Sequence, residues 1–444
     1  MEHKRQKENK SGRLNIGVNA IINKSINNNG NPSHPNIGVN ADTQPLPLSA
    51  SGWHLKVFIR TFGCQMNTRD SEAVLGLFLE RGYSVSLTAE GADVVLINTC
   101  SVREHAESRA LSFAGTFKKL SAPLAKPVIG LIGCMAINKG AEIFKKMRHI
   151  DLICGPSTLN KIPEYVEKII DERQSNKEEK QNLRIIDIID TERNELLYQA
   201  EFRDEPDHAQ VVISTGCSNF CSYCVVPYVR GNIRLRNPKD IVKEVEKNVA
   251  LGIKKITLLG QNVNDYRYVE ADIRGMKRGK TRSFVDLLKE IDEVQGVEEI
   301  NFITSQPKNT SKELFTLMAK SSKISKNLHL PFQSGSNRIL KLMNRGYTRE
   351  KYLELVSDYK NIVGGMLSTD VIIGFPTETE EDFEQTKDII EQVRFRCSYI
   401  FKYSPRLKAK SANIKDDVPS EDKSRRHKIL LDLQKKISKD LNKE

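Results

Sequence analysis

Cys217-Ser218-Asn219-Phe220-Cys221-Ser222-Tyr223-Cys224 sets three cysteines in a CxxxCxxC pattern just after the apolar run Val211 to Ile213. Thiolates at that spacing, on a loop that follows a strand, can grip three irons of a 4Fe-4S cluster, which ordinarily takes four cysteines. No fourth cysteine lies nearby in the sequence, so one iron keeps an open position. An open position is what separates a reactive metal site from a structural one. Structural zinc usually shows paired C-x2–4-C and C/H sets, and no second pair follows Cys224. The loop points to chemistry.

Downstream of residue 209 the pattern alternates regularly. Strands are expected near 210–215, 254–260, 298–304, 327–332, 368–374 and 398–403, with helices near 238–251, 283–294, 310–320, 336–344, 348–362 and 379–394. Asn237 before Pro238 is a helix start, an N-cap followed by proline at the first helical position. Six βα units predict a parallel sheet curved into a partial barrel. A last basic helix runs from about Ser420 to the end.

Upstream, residues 53–172 read as a separate α/β domain. Residues 55–61 are a strand, and 70–81 a helix with Val74, Leu77 and Phe78 on one face. Segments 92–99 and 127–133 are near-continuous apolar runs, as in strands buried on both sides of a parallel sheet. Residues 150–153 form a further short strand, and 183–189 a strand within a charged connector spanning 173–208.

Cys64, Cys100 and Cys134 each follow one of these strands: Phe62-Gly63-Cys64, Asn98-Thr99-Cys100, Ile132-Gly133-Cys134. Carboxyl ends of parallel strands lie on one edge, where ligands bind. Singly, each thiol reads as core, because free cysteine is commonly buried; their shared placement favours a second three-cysteine site with an open position. Cys154 also ends a strand and as a fourth ligand would close that site; it is expected to be a plain core thiol. Cys397, at the start of an apolar strand, reads as core too.

At 444 residues the chain is long enough for two or more domains. Its 28% charged and 39% hydrophobic residues match an ordinary soluble protein. No apolar run approaches the ~18 residues needed to span a bilayer, so no membrane partner is expected. Met1-Glu2-His3-Lys4-Arg5 lacks a following apolar region, which argues against a secretory signal. A cytoplasmic location is expected, where cysteines stay reduced and serve as ligands rather than disulfides. The net charge of +12 is uneven: residues 402–444 hold 13 Lys/Arg against 7 Asp/Glu, and residues 267–282 hold 6 against 2. Such patches suit RNA, although a solvated helix face and a surface loop read the same way. Residues 1–52, rich in Asn, Ser, Pro and Lys, are expected to be a disordered low-complexity extension.

The residues that follow the cysteines carry a family pattern. Thr61-Phe62-Gly63-Cys64-Gln65-Met66-Asn67, Asn98-Thr99-Cys100-Ser101-Val102-Arg103, Gly133-Cys134-Met135-Ala136 and Cys224-Val225-Val226-Pro227-Tyr228-Val229-Arg230-Gly231 belong to it. So do Gly260-Gln261-Asn262-Val263-Asn264, Leu330-Pro331-Phe332-Gln333-Ser334-Gly335-Ser336, Met343-Asn344-Arg345-Gly346-Tyr347 and Ile373-Gly374-Phe375-Pro376. Over about residues 53–435 the chain resembles the radical S-adenosylmethionine (SAM) methylthiotransferases of the MiaB type, the branch that modifies tRNA.

That resemblance implies an N-terminal methylthiotransferase domain (53–172) followed by a radical SAM (βα)6 partial barrel (209–435). It implies two 4Fe-4S clusters as cofactors. The cluster on Cys217, Cys221 and Cys224 would bind SAM and cleave it to a 5′-deoxyadenosyl radical. That radical would take hydrogen from carbon 2 of an N6-isopentenylated adenine beside the tRNA anticodon. The cluster on Cys64, Cys100 and Cys134 would carry and deliver the sulfur. Gly260, Gln261, Asn262, Ser334 and Gly374, at or near strand ends, are candidate SAM contacts; turn chemistry explains such residues equally well. Arg230 reads as pairing with a carboxylate or phosphate, or as capping the loop. A reductant such as flavodoxin or ferredoxin and a sulfur donor are the further partners.

The sequence departs from the family in four places. Family members usually end in a small RNA-binding β-barrel, TRAM; here the sequence stops at Leu441-Asn442-Lys443-Glu444, where that module would begin, so a basic tail (436–444) and the 267–282 loop are expected to take over part of the tRNA contact. Gly231-Asn232-Ile233-Arg234, Ser404-Pro405-Arg406-Leu407 and Thr304-Ser305-Gln306-Pro307 also differ from the family pattern. Other readings share these residues: a methylthiotransferase acting on threonylcarbamoyl-adenosine tRNA or a ribosomal protein, or a non-catalytic Fe-S RNA-binding protein.

Overall fold

The apolar runs at 92–99 and 127–133 become β3 (Val94–Thr99) and β4 (Val128–Gly133), buried at every position. They are seen in a computed structural model that describes residues 55–101, 104–119, 126–175, 183–189, 198, 202–203, 205–270, 279–303 and 305–443. The expected extension 1–52, parts of the connector, the tip of the 267–282 loop, Val102, Arg103 and Thr304 lie outside the described residues.

β3 and β4 centre a six-stranded parallel sheet. Its order is β2-β1-β3-β4-β5-β6, with β1 Lys56–Phe62, β2 Ser84–Val85, β5 Leu152–Cys154 and β6 Ile185–Asp187. Strand alternation splits the core in two. Val57, Ile59, Val94 and Leu96 pack under helices Gln65–Glu80 and Ile162–Ser175; Phe58, Val95, Ile129 and Leu131 pack under Glu104–Thr116 and Cys134–Lys146. The register aligns Phe62 with Thr99 and Thr99 with Gly133. Cys64, Cys100 and Cys134 therefore leave one edge within two residues of a common row.

The second half is parallel as well. β7 (His208–Val212), β10 (Lys255–Leu259) and β13 (Glu299–Phe302) form one three-stranded sheet; β14 (Leu328–His329), β15 (Leu367–Ile373) and β16 (Cys397–Lys402) form another. Two short antiparallel pairs decorate them: β8 (Ser214–Thr215) with β9 (Arg234–Leu235), and β11 (Arg267–Val269) with β12 (Thr281–Ser283). The sequence reading predicts longer strands at 298–304 and 327–332. In the structure β13 ends at Phe302 and the segment before β14 bridges onto it at Ile300–Ile324, with Ile300 N donating to Lys323 O at 2.9 Å. Pro331 shortens β14, because it has no N–H to give the ladder; pairing resumes at Gln333 opposite Val371.

The Asn237 cap sets its helix start as the sequence predicts, and a further cap appears in the structure. Asn237 accepts from Lys239 N at 3.0 Å ahead of Pro238–Ala250, and Thr379 forms a capping box with Asp382. The last helix, Ser420–Leu441, closes the barrel on the outside of β16, burying Leu430 and Ile437 in the core. Ser398 donates to Gln434 at 2.6 Å across that contact. Ser398 and Ile400 thus face the helix, and Cys397, Tyr399 and Phe401 face the lumen. Cys397 is accordingly half-buried rather than core.

Candidate active site

The 217–224 loop is held from several directions. Gly216 sits at φ +70°, and a Cβ there would lie 2.1 Å from Asn232 O, so only glycine lets the loop leave the β8/β9 pair. Phe220 adopts φ 48°, and Asn344 Nδ2 donates to its carbonyl at 3.1 Å. Ser222 is pinned by Ser222 N to Met343 O (3.0 Å), its hydroxyl to Leu342 O (2.8 Å), and Ser411 N to Ser222 O (2.8 Å). Arg345 reaches Cys221 Sγ at 3.4 Å and Pro331 O at 3.0 Å. Burial, then the neighbouring Cys221, pushes the Cys224 thiol up to about 12, and burial raises Cys217. Raised thiols of this kind suit a cationic iron core, because metal binding itself drives thiol deprotonation.

At the sheet edge, Gly133 has φ +91° and a Cβ there would lie 2.3 Å from Asn98 Oδ1. Asn98 also donates to Asn67 O at 2.8 Å and Ser71 Oγ at 2.9 Å, while Asn67 Nδ2 donates to Asn98 Oδ1 at 3.0 Å. This amide network clamps the ends of β1, β3 and β4. Cys64 hydrogen-bonds Asn67 Oδ1 at 3.2 Å. A hydrogen bond from Cys100, aided by the charge of Arg230, holds the Cys64 thiol down at about 6. Burial raises Cys134. Cys154 lies apart from these thiols in the core with Leu159 and Ile162, and burial pushes it up. Among the described residues, no three His, Cys, Asp or Glu side chains gather tightly enough for a single metal ion; a four-iron cube needs its thiolates spread more widely than one ion does.

Arg230 links the segment after the barrel cysteines to the sheet-edge set. The short helix Val226–Arg230 begins two residues after Cys224, and its buried Arg230 crosses into the N-terminal sheet. There Nη2 pairs with Asp70 Oδ2 at 2.7 Å and Nε donates to Cys134 Sγ at 3.1 Å. Tyr198 donates to the other Asp70 oxygen at 3.0 Å. Val225 and Val229 pack against Cys134 and Ile137. Of the two sequence readings of Arg230, pairing with a carboxylate is the one observed. Its partner, Asp70, was not singled out by the sequence.

Gly260, Gln261 and Asn262 follow β10 at the barrel mouth. A Cβ on Gly260 would lie 2.5 Å from Ser214 Oγ. Asn262 donates to Gln306 Oε1 at 3.3 Å. Among the described residues, four buried polar atoms lack a protein partner around the strand ends: Ser214 Oγ, Asn262 Oδ1, Ser305 Oγ and Gln333 Oε1. Orphaned groups of this kind suit a polar ligand. Ser334 instead lies 3.4 Å from Thr386 Oγ1, and Gly374, at φ +66°, packs against Lys423 with its N–H on Glu378 at 2.6 Å. Tyr399 (50% exposed) and Phe401 (37%) stand two residues apart on the lumen side of β16, and His329 meets Tyr399 edge-on. The sequence reading missed this pair, because Tyr399, Ile400 and Phe401 put apolar residues on both faces of the strand and alternation does not tell which face is exposed.

The profile of the Radical SAM superfamily matches residues 211–390, and that of Uncharacterized protein family UPF0004 matches residues 56–155. The chain is a radical SAM enzyme, a class that uses SAM and a 4Fe-4S cluster. It is 42% identical over 387 residues to a tRNA-2-methylthio-N(6)-dimethylallyladenosine synthase of Acetivibrio thermocellus, covering 86% of this chain and 77% of that one. The protein of the same name from Thermoanaerobacter sp. is 41% identical over 391 residues, covering 87% and 79%. The chain belongs to this tRNA methylthiotransferase family. The cobalamin-dependent SAM radical enzyme OxsB superposes with TM-score 0.47 at 12% identity, over 84% of this chain and 56% of that one. No helix among the described residues is long and apolar enough to cross a membrane.

Proposed function

We propose that this chain inserts a methylthio group at carbon 2 of N6-isopentenyladenosine next to the tRNA anticodon, giving 2-methylthio-N6-dimethylallyladenosine. The observation that supports the reading is the Arg230 contact, by which the segment following Cys217, Cys221 and Cys224 reaches Cys134 in a chain of this family. Cys217, Cys221 and Cys224 would hold one 4Fe-4S cluster; Cys64, Cys100 and Cys134 would hold a second. When bound, the clusters and SAM supply the radical that activates carbon 2 and the sulfur that replaces its hydrogen. The protein's part is position and exclusion of water.

Gly260, Gln261 and the partnerless oxygens of Asn262 and Ser214, at the end of β10, would hold and orient the polar groups of SAM. Ser334 and Gly374 shape the rim through the packing described above. Tyr399 and Phe401 offer an aromatic wall to the adenine and its prenyl group; stacking of this kind contributes about 1–3 kcal/mol per base. Lys428, Lys435, Lys436 and Lys439, on the last helix, meet tRNA phosphates. Flavodoxin or ferredoxin supplies electrons, and a separate sulfur donor replenishes the second cluster. A cytoplasmic location goes with cysteines kept reduced.

Mass spectrometry of tRNA nucleosides from cells lacking and regaining this gene tests the reading. The methylthio mark is expected on isopentenyladenosine and should vanish without the gene. Its appearance on threonylcarbamoyl-adenosine instead, or no change in any tRNA nucleoside, would move the substrate elsewhere. A local check concerns the loop: Gly216→Ala should lower the iron retained after anaerobic reconstitution from about eight towards about four, with far-ultraviolet circular dichroism unchanged. Full iron retention in that variant would show that the φ +70° turn does not hold the ligands in place.

A further inference from the structure

Arg230, six residues after Cys224, reaches Cys134 of the sheet-edge set, and its contacts are specific. It carries a positive charge at 2% exposure, donates to Cys134 Sγ through Nε and is fixed in angle by Asp70, itself fully buried. Asp70 is in turn held by Tyr198. The remaining nitrogen, Nη1, is buried without a partner, in a position where Cys64 and Cys134 both act on the charge. A charged donor to a ligand sulfur stabilises added negative charge, and hydrogen bonds to cluster sulfurs are among the terms that set iron–sulfur reduction potentials.

We propose that Arg230, although it belongs to the barrel's cysteine segment, is a positioning residue that sets the reduction potential of the Cys64/Cys100/Cys134 cluster, with Asp70 partly offsetting its charge. This rests on the reading that the trio holds a cluster. Arg230 raises the potential by favouring the more negative, reduced state; Asp70 lowers it by its own negative charge while keeping Nε aimed at Cys134. Opposite signs follow for the two residues. A merely structural role gives no reason for opposite signs, since loosening either side of one ion pair disturbs the same packing.

The test uses the full chain with Cys217, Cys221 and Cys224 all replaced by alanine, so that only the sheet-edge trio loads. After anaerobic reconstitution to about four irons, the midpoint potential is followed by electron paramagnetic resonance during an electrochemical titration. Arg230→Gln is expected to move the midpoint to more negative values, Arg230→Lys to move it less, since charge is kept and the fork lost, and Asp70→Asn to move it to more positive values. Unchanged midpoints, or shifts of the same sign for Arg230→Gln and Asp70→Asn, overturn the proposal while leaving the cluster assignment standing. Should Arg230→Gln fail to fold, the Lys and Asn variants decide by the same signs. A parent protein that takes up no iron overturns the cluster assignment, and the proposal with it.

Discussion

Alanine at Cys221 is expected to end SAM cleavage, while alanine at Cys64 ends only the transfer of sulfur. Cys221 is buried between Arg345 and the pinned Ser222, and these neighbours offer donors rather than a replacement thiolate. Two thiolates cannot hold the cube, so iron should fall from about eight to about four per chain. Formation of 5′-deoxyadenosine should drop by on the order of a millionfold, the lower end of what enzymes supply. Cys64→Ala removes an exposed ligand at the other site, again with loss of about four irons. SAM is still cleaved in that variant, but no methylthio-adenosine forms. Iron analysis and chromatography of the SAM products check both halves. Undiminished cleavage in Cys221→Ala refutes its role; intact methylthiolation in Cys64→Ala refutes the second site.

The sequence exposes the two sets of thiols for different reasons. The barrel trio is local, and its spacing is readable without any fold. The other trio becomes readable only because β3 and β4 are near-continuous apolar runs, hence parallel and buried, and Cys64, Cys100 and Cys134 each directly follow a strand. Asp70 escapes such reasoning: its partner lies 160 residues later, and nothing in either segment records how the sheet docks on the barrel. Cys397 was misread because residues 397–401 carry no polar–apolar signal for sidedness. Ser398 is buried by a hydrogen bond from outside the strand, and Tyr399 is exposed although aromatic. Pro331, by contrast, was visible and suffices to predict a shortened β14.

Glu244→Ala should destabilise the chain by about 3–5 kcal/mol, the range for breaking a buried ion pair, read as a lowered urea midpoint. Glu244, on the helix after β9, accepts from Arg203 at 2.9 Å and Arg236 at 2.6 Å, with Arg69 at 3.6 Å, all with little exposed side chain. Burial already holds the Arg203 guanidinium down at about 10, so its charged form depends on the shared carboxylate. Removing that carboxylate leaves buried like charges facing one another, and the cost is their desolvation rather than the worth of one contact. Lys254–Glu298 is the matched control: the pair is as short, at 2.5 Å, but both side chains are more than half exposed. Glu298→Ala should therefore cost less than about 1 kcal/mol. Equal losses for the two variants would mean that burial does not set the strength of these pairs. Arg69 lies on the helix that carries Asp70, and Arg236 follows the strand that frames the cysteine loop. The same substitution should therefore loosen the docking that brings Arg230 to Cys134, so methylthio transfer should fall before SAM cleavage does as urea is raised.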